Sequence, residues 1–308
     1  MACCEDELWD LVKSIEPAKS QKEGASRSHN YLRNVLDSGN MASRILDSYL
    51  SGSYSRDTAI HPIDDVDIIF IIDPKPWLSS LESLLSIHPS PEAVLKTFER
   101  AIRYRYPDSS IRLQRRSVRL RLYHLNIDVV PGIIEDDEKK TIRIPDTESD
   151  SWILTAPKRH QDLATNVTLA QKGMFKPLVK LLKYWNSNLP STATFKSFTI
   201  ETMAVRLFQN VRFHSLEEGL FRFYDFVANL PQDFLLSFSE TYGISFNWLE
   251  CVVPDVAGTG SNTAAGIDES CKEKFVQQAI YSRNKLFEAQ KASSVLTACK
   301  LVNQALRV

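Results

Sequence analysis

The chain has no long apolar run, no excess of either charge and no metal-ligand spacing among its cysteines or histidines. Each absence removes a class of function. No stretch approaches the ~20 apolar residues that a membrane-spanning helix needs. The start is acidic, and Leu8, Leu11 and Val12 are interrupted by charge, unlike a secretory signal. A cytoplasmic location is expected, with no membrane partner. With 37 basic against 38 acidic residues, a formal net charge of -1, no global field draws the protein to nucleic acid or anionic lipid. Small charged substrates would have to be captured by local positive groups. Five cysteines, Cys3, Cys4, Cys251, Cys271 and Cys299, form an odd set without Cys-x-x-Cys spacing, which argues against a disulfide scaffold or a zinc ribbon. The vicinal Cys3-Cys4 reads as a reduced N-terminus. Histidines 29, 61, 88, 124, 160 and 214 are scattered. Neither a serine-histidine-acid triad nor a P-loop is visible, which weakens hydrolase and ATPase readings.

What is present is a set of spaced carboxylates. Asp65-Val66-Asp67 opens the apolar run Val66-Asp67-Ile68-Ile69-Phe70-Ile71-Ile72, whose β-branched and aromatic residues predict a buried strand. Alternation puts Asp65 and Asp67 on one face. Two carboxylates side by side on such a strand repel unless a cation sits between them, and a divalent metal is the simplest candidate. Magnesium suits the pattern, since it takes one or two carboxylates and leaves its other positions to water and phosphate. Asp128 lies in a second strand-like stretch, Leu125 to Val130, that ends at Pro131-Gly132. A neighbouring strand would bring it beside the pair as a third carboxylate. Three carboxylates can hold two metals, one activating a hydroxyl and the other steadying a triphosphate and its leaving pyrophosphate. That is nucleotidyl transfer.

Gly52-Ser53 precedes the carboxylates. Glycine lets backbone approach phosphate, and free N–H groups with a serine hydroxyl donate to it. Alone the pair is merely a loop; with the carboxylates it reads as a phosphate turn.

With Gly52-Ser53-Tyr54-Ser55-Arg56-Asp57-Thr58-Ala59-Ile60, Asp65-Val66-Asp67 and Asp128 laid out, the chain resembles the polymerase-β-like nucleotidyltransferase superfamily. More narrowly, through the Tyr-x-Arg-x-Thr-Ala-Ile continuation, it resembles the bacterial cyclic-oligonucleotide synthases (CD-NTases) of anti-phage defence, relatives of cyclic GMP-AMP synthase and oligoadenylate synthase. Val179 to Asn186 and Lys196 to Glu201 look like that group's helical-lobe segments. The resemblance implies that Gly52, Ser53 and Arg56 border the donor triphosphate, and that Asp65 and Asp67 bind two Mg2+ ions, with Mn2+ as a substitute. It implies that Asp128 helps bind one metal and activates the acceptor hydroxyl. Lys183 and Ser197 would reach the triphosphate, and Phe198 would stack on a base. Asp57 departs from the group, which commonly has glycine there. No cysteine/histidine zinc insertion like that of the animal DNA sensor is present.

The expected fold is α/β and bilobal: a mixed-sheet nucleotidyltransferase lobe with N-terminal helices over 1–150, and a mainly helical nucleotide-binding lobe over 151–308. Helices are expected at 1–17, from Ser28 with Tyr31, Leu32, Val35 and Leu36 on one face, and at 77–87 and 91–105. Gln21 to Arg27 reads as a polar connection. Strands are expected at 44–51, up to Asp73-Pro74, and at 110–115, 117–123 and 125–131. Residues 151–190, with Trp152 and Leu169, suggest packed helices, followed by helices at 197–209, 215–229, 232–239 and 268–292. Asp255 to Thr263 is a small polar loop, read either as a flexible connection or, as the resemblance implies, as a border of the nucleotide pocket. Lys180 and Lys183, a helical turn apart, would be a solvated pair but for the resemblance. Arg119 and Arg121 alternate with Val118, Leu120 and Leu122 and share one polar face, which could line the nucleotide groove or contact a nucleic-acid activator; the favoured reading is a solvated sheet face paired with acidic neighbours.

The expected activity is the joining of ribonucleoside triphosphates into a cyclic oligonucleotide second messenger. A regulatory protein or RNA activator, and an effector that binds the product, are the implied partners. Two rivals stand beside it: a transferase making linear oligonucleotides or modifying RNA or protein, and a non-catalytic nucleotide or RNA sensor. Base identity, ring size and linkage are not written in the motifs.

Overall fold

The computed structural model describes residues 4–80, 88–230, 243–246 and 251–307. The chain divides into two compact units, a sheet unit of Pro17–Gln161 and a helical unit of Met1–Glu16 with Asp162–Val308. This differs from the expected division at 150: the N-terminal helix belongs with the second half, and the boundary falls inside a helix.

In the sheet unit, α2 (Lys19–Ser38) is followed by β1 (Ile45–Ser51), the one-turn α3 (Gly52–Ser55) and β2 (Asp65–Ile72). Then come α4 (Pro91–Arg105), β3 (Ser110–Leu113), β4 (Val118–Arg121), β5 (Asn126–Asp136), β6 (Thr141–Asp146) and β7 (Ser151–Thr155). The strands form one seven-stranded mixed sheet with the order β1-β2-β5-β4-β3; β6 pairs with the far end of β5 and with β7. Among the described residues only β2 and β5 run parallel. The side-chain period of two sorts β2 between two cores. Val66, Ile68, Phe70 and Ile72 pack with Leu32 and Leu36 of α2 and with Val94, Phe98 and Ile102 of α4, whereas Ile69 and Ile71 pack with Ile142 on the opposite face.

Several expectations change. Gln21 to Arg27 is helical, because the buried stripe of α2 runs back through His29 to Ala25, and Tyr31 is exposed. Residues 151–155 are a strand, with Trp152 donating its indole N–H to the Pro89 carbonyl at 2.7 Å. Leu169 is exposed. The helix expected at 232–239, and most of that at 77–87, lie outside the described residues.

The helical unit contains α1 (Glu5–Ile15), the remainder of α5 (Pro157–Ala170), α6 (Phe175–Asn188), α7 (Ser197–Phe208) and α8 (Leu216–Asn229). A two-residue ribbon of β8 (Ser245–Phe246) and β9 (Cys251–Val252) precedes α9 (Glu269–Gln290) and α10 (Val295–Leu306), the last of which the sequence reading did not anticipate. Trp185, Tyr224, Phe195 and Phe275 are fully buried aromatics at its centre. Cys4 and Cys299 form a disulfide, which corrects the reduced N-terminus at Cys4; Cys3 lies outside the described residues. Two cysteines 295 positions apart give no local spacing signal. Among the described residues no helix is long and apolar enough to cross a membrane.

Candidate active site

The alternation that buries Val66 and Ile68 against the helices turns Asp65 and Asp67 to the other face of the sheet. In β5 the same parity buries Ile127 and Val129 and puts Asp128 on the carboxylate face. Parallel register sets Asp67 opposite Asp128, and Asp65 opposite Asn126. A register slip of one residue would move Asp128 into the helix-packed core, so the apolar pattern of β5 fixes the geometry of the site. On β4, Val118 and Leu120 are buried, and Arg119 stands directly opposite Asp128.

Ser51 pairs with Asp67 across β1 and β2, so Gly52 begins its turn beside that carboxylate. Gly52 has φ +71°, in the left-handed region, and a Cβ there would overlap Asp67 Oδ2. Glycine is required on both grounds. Ser53 lies within α3, and its carbonyl accepts from the Thr58 N–H at 3.0 Å, which folds the turn back on itself. Asp57 has φ +57°, a conformation glycine adopts freely and aspartate tolerates better than most residues. Its departure from the family's glycine therefore preserves the turn. Arg56 is buried.

The carboxylates strain against one another. Burial pushes the Asp67 carboxyl up to about 7, and the charges of Asp65 and Asp128 add to the effect, with Arg56 and Arg119 opposing it. Asp65 moves in the same direction, through burial and then Asp128, again opposed by Arg119. Among the described residues no three His, Cys, Asp or Glu side chains are grouped to hold an ion as they stand, and both Asp128 oxygens face Arg119. The donor set nevertheless fits a hard divalent cation. It offers carboxylate oxygens on one face, two carboxyls whose pKa values are raised by burial and then by like charge, and a glycine that leaves the approach to Asp67 open.

The other expected nucleotide-binding residues belong to the helical unit. Lys183 on α6 is buried and lies 2.9 Å from the equally buried Glu201 on α7. Lys180 is also buried, 2.6 Å from Glu16. Neither lysine is on a solvated face, because the carboxylates that make their burial tolerable come from other elements. Ser197 opens α7, and Phe198 beside it is 36% exposed. The Asp255 loop is ordered by its own contacts: Asn262 Oδ1 accepts from the Val253 and Ala264 N–H groups, and Asp255 accepts from Thr259 Oγ1. The sequence placed Arg119 on a polar strand face without naming its partners, and did not single out Glu201. The parity of Arg119 with the strand aspartates was available as a signal for the first; nothing local pointed to the second.

Residues 1–167 match the family of the Second Messenger Oligonucleotide or Dinucleotide Synthetase domain. A cyclic AMP-AMP-AMP synthase from Acinetobacter sp. is 31% identical over 300 residues, which span 92% of this chain and 80% of the relative. Among solved structures, the Escherichia coli CdnC:HORMA-deltaN complex superposes with a TM-score of 0.74 at 19% identity, covering 99% of this chain and 97% of the other. The Bradyrhizobium diazoefficiens CD-NTase CdnG in complex with GTP gives 0.70 at 17%, covering 98% and 97%. At these identities the structural likeness shows the fold. The domain match and the full-length relative show more: the chain belongs to the second messenger oligonucleotide or dinucleotide synthetase family, metal-dependent nucleotidyltransferases that make cyclic oligonucleotides.

Proposed function

We propose that this protein joins ATP into a cyclic tri-adenylate, with Asp65, Asp67 and Asp128 holding two magnesium ions, for which manganese substitutes. The observation that carries the reading is the parallel register of β2 and β5, with Asp67 opposite Asp128 and Asp65 on the same face. The choice of base and ring size rests on the cyclic AMP-AMP-AMP synthase relative. When bound, the metal supplies Lewis-acid activation of the attacking hydroxyl and charge neutralisation on the triphosphate. Asp128 orients the acceptor hydroxyl and takes up its proton. Gly52 and Ser53 present backbone and hydroxyl donors to phosphate, and Arg56 contributes positive charge beside them. The family resemblance supports triphosphate roles for Lys183 and Ser197 and a base-stacking role for Phe198. Catalysis is then mainly positioning and electrostatics.

A protein regulator is part of the proposal, supported by the HORMA complex of the CdnC relative. The product would signal to a separate effector, with anti-phage defence as the context.

The test is incubation of purified protein with ATP, and with all four ribonucleoside triphosphates, in magnesium or manganese, followed by phosphatase treatment, chromatography and mass spectrometry. A phosphatase-resistant cyclic tri-adenylate is expected. A product that loses terminal phosphates would be linear and would overturn ring closure; a resistant product containing other bases would overturn the adenine assignment.

A further inference from the structure

Asp128 is 6% exposed, and a carboxylate so buried needs hydrogen-bonding partners, which also fix its direction. Its partners come from the β3–β4 hairpin. Arg119 Nε donates to Asp128 Oδ1 at 2.9 Å and Arg119 Nη2 to Oδ2 at 2.5 Å, a two-pronged contact. The same Nη2 lies 3.7 Å from Asp65 Oδ2, so one guanidinium spans two carboxylates carried by different strands. Gln114, at the start of the hairpin turn, completes the set. With its amide oriented to satisfy its neighbours, its NH2 donates to Asp128 Oδ1 at 3.3 Å and to Ser117 Oγ, and its oxygen accepts from Arg119 Nε at 3.0 Å.

The hairpin is itself held down. Its turn is closed by the Gln114 N–H to the Ser117 carbonyl at 2.8 Å, and Arg115 and Arg116 both bind the buried Asp146 at the end of β6. A fixed hairpin therefore carries the donors that fix Asp128. A carboxylate has about four lone-pair sites; Arg119 and Gln114 occupy those of Oδ1, and Oδ2, which accepts from Arg119 alone, keeps acceptor capacity.

We propose that Arg119 is a positioning residue for the carboxylate cluster, with Gln114 as its support. It locks the Asp128 side chain and bridges it to Asp65, so that the ligand set is ordered before a cation arrives. Lysine cannot reproduce this, because an ammonium is a point charge without the planar fork. The inference rests on the proposed metal role of Asp65, Asp67 and Asp128, and deepens it. Loss of a group that orients a metal ligand typically weakens metal affinity ~10–100-fold.

The experiment titrates nucleotide-free protein with Mn2+, reading free ion by electron paramagnetic resonance, for the wild type, Arg119→Lys, Arg119→Met, Gln114→Leu and Asp67→Asn. Circular dichroism checks each fold. Wild type should bind Mn2+ and Asp67→Asn should not; if wild type fails to bind, or Asp67→Asn binds equally, the metal reading itself falls. Given that binding, both Arg119 variants should bind ~10–100-fold more weakly and Gln114→Leu several-fold more weakly. Arg119→Lys, which keeps the charge, is the variant expected to remain folded in any case. Wild-type affinity in Arg119→Lys would show that charge alone matters and would overturn the positioning role. Tighter binding in Arg119→Met would show that Arg119 competes with the cation, and would overturn it equally.

Discussion

Asp67 carries the clearest conflict between stability and function at the level of single residues. Its carboxyl is pushed up to about 7 by burial and by two like charges. A group whose folded pKa lies above its unfolded value of ~3.9 stabilises the fold at low pH and loses that contribution as pH rises through the folded value. In chelator at pH 8, Asp67→Asn should therefore raise the melting temperature, by the equivalent of ~1–3 kcal/mol after solvent screening. The gain should vanish near pH 4, and turnover should be lost at every pH. A variant that melts lower than wild type at pH 8 would show that no such repulsion exists. This pairing of stability gain with lost activity is expected where charges are crowded for chemistry. The two aspartates were legible in the sequence because they share a strand, and strand parity needs no tertiary information. Arg119 shows the limit. Its parity was equally legible, and so was pairing with acidic neighbours, but that those neighbours would be Asp128 and Asp65 depended on the order of strands in the sheet.

The elements most readable from sequence were those with strong local patterns, such as β2 and α4, the latter capped by Ser90 and started by Pro91. β7 was misread because five residues containing Trp152, Ile153 and Leu154 satisfy either a strand or the start of a helix. What settles it is β6, which pairs with β7 from Ile142 to Asp146. The same edge holds Asp146. Hydrogen bonds from Arg115, and then from Arg116, hold its carboxyl well below the usual range. This sign is opposite to that of Asp67: the stabilisation is present above the unfolded value and is lost as pH falls through the folded one. Asp146→Asn should lower the melting temperature at pH 7 by about 2–6 °C, since the arginines are half exposed and the pairs are screened. The difference from wild type should shrink steadily below pH 4. An equal deficit at pH 2.5 and pH 7 would assign the loss to packing and not to charge.

At the scale of the molecule, residues before Pro17 join the helical unit. Glu5 accepts hydrogen bonds from the Leu216 and Glu217 N–H groups at the start of α8, Glu16 pairs with Lys180, and Cys4 is bonded to Cys299. These contacts stitch α1 onto elements far along the chain. Cross-links of this kind stabilise chiefly by restricting the unfolded chain, typically by 2–4 kcal/mol. Cys299→Ser should therefore lower the melting temperature of oxidised protein and leave that of protein in reductant unchanged, with thiol titration counting one pair fewer available for oxidation. An equal drop in both conditions would mean that the cysteine matters only as a buried side chain.

Local pattern was enough to locate the strand that carries Asp65 and Asp67, the strand that carries Asp128, the glycine turn before them and the α/β-then-helical order of the chain. Each of these rests on residue periods of two or 3.6, or on turn chemistry, which act between near neighbours. Long-range packing alone sets the fork of Arg119 onto Asp128, the buried pair of Glu201 with Lys183, and the place of α1 with the second half. The reason is physical: those partners are chosen by sheet order and by the desolvation of charges in the interior, and both depend on the packing of the chain as a whole.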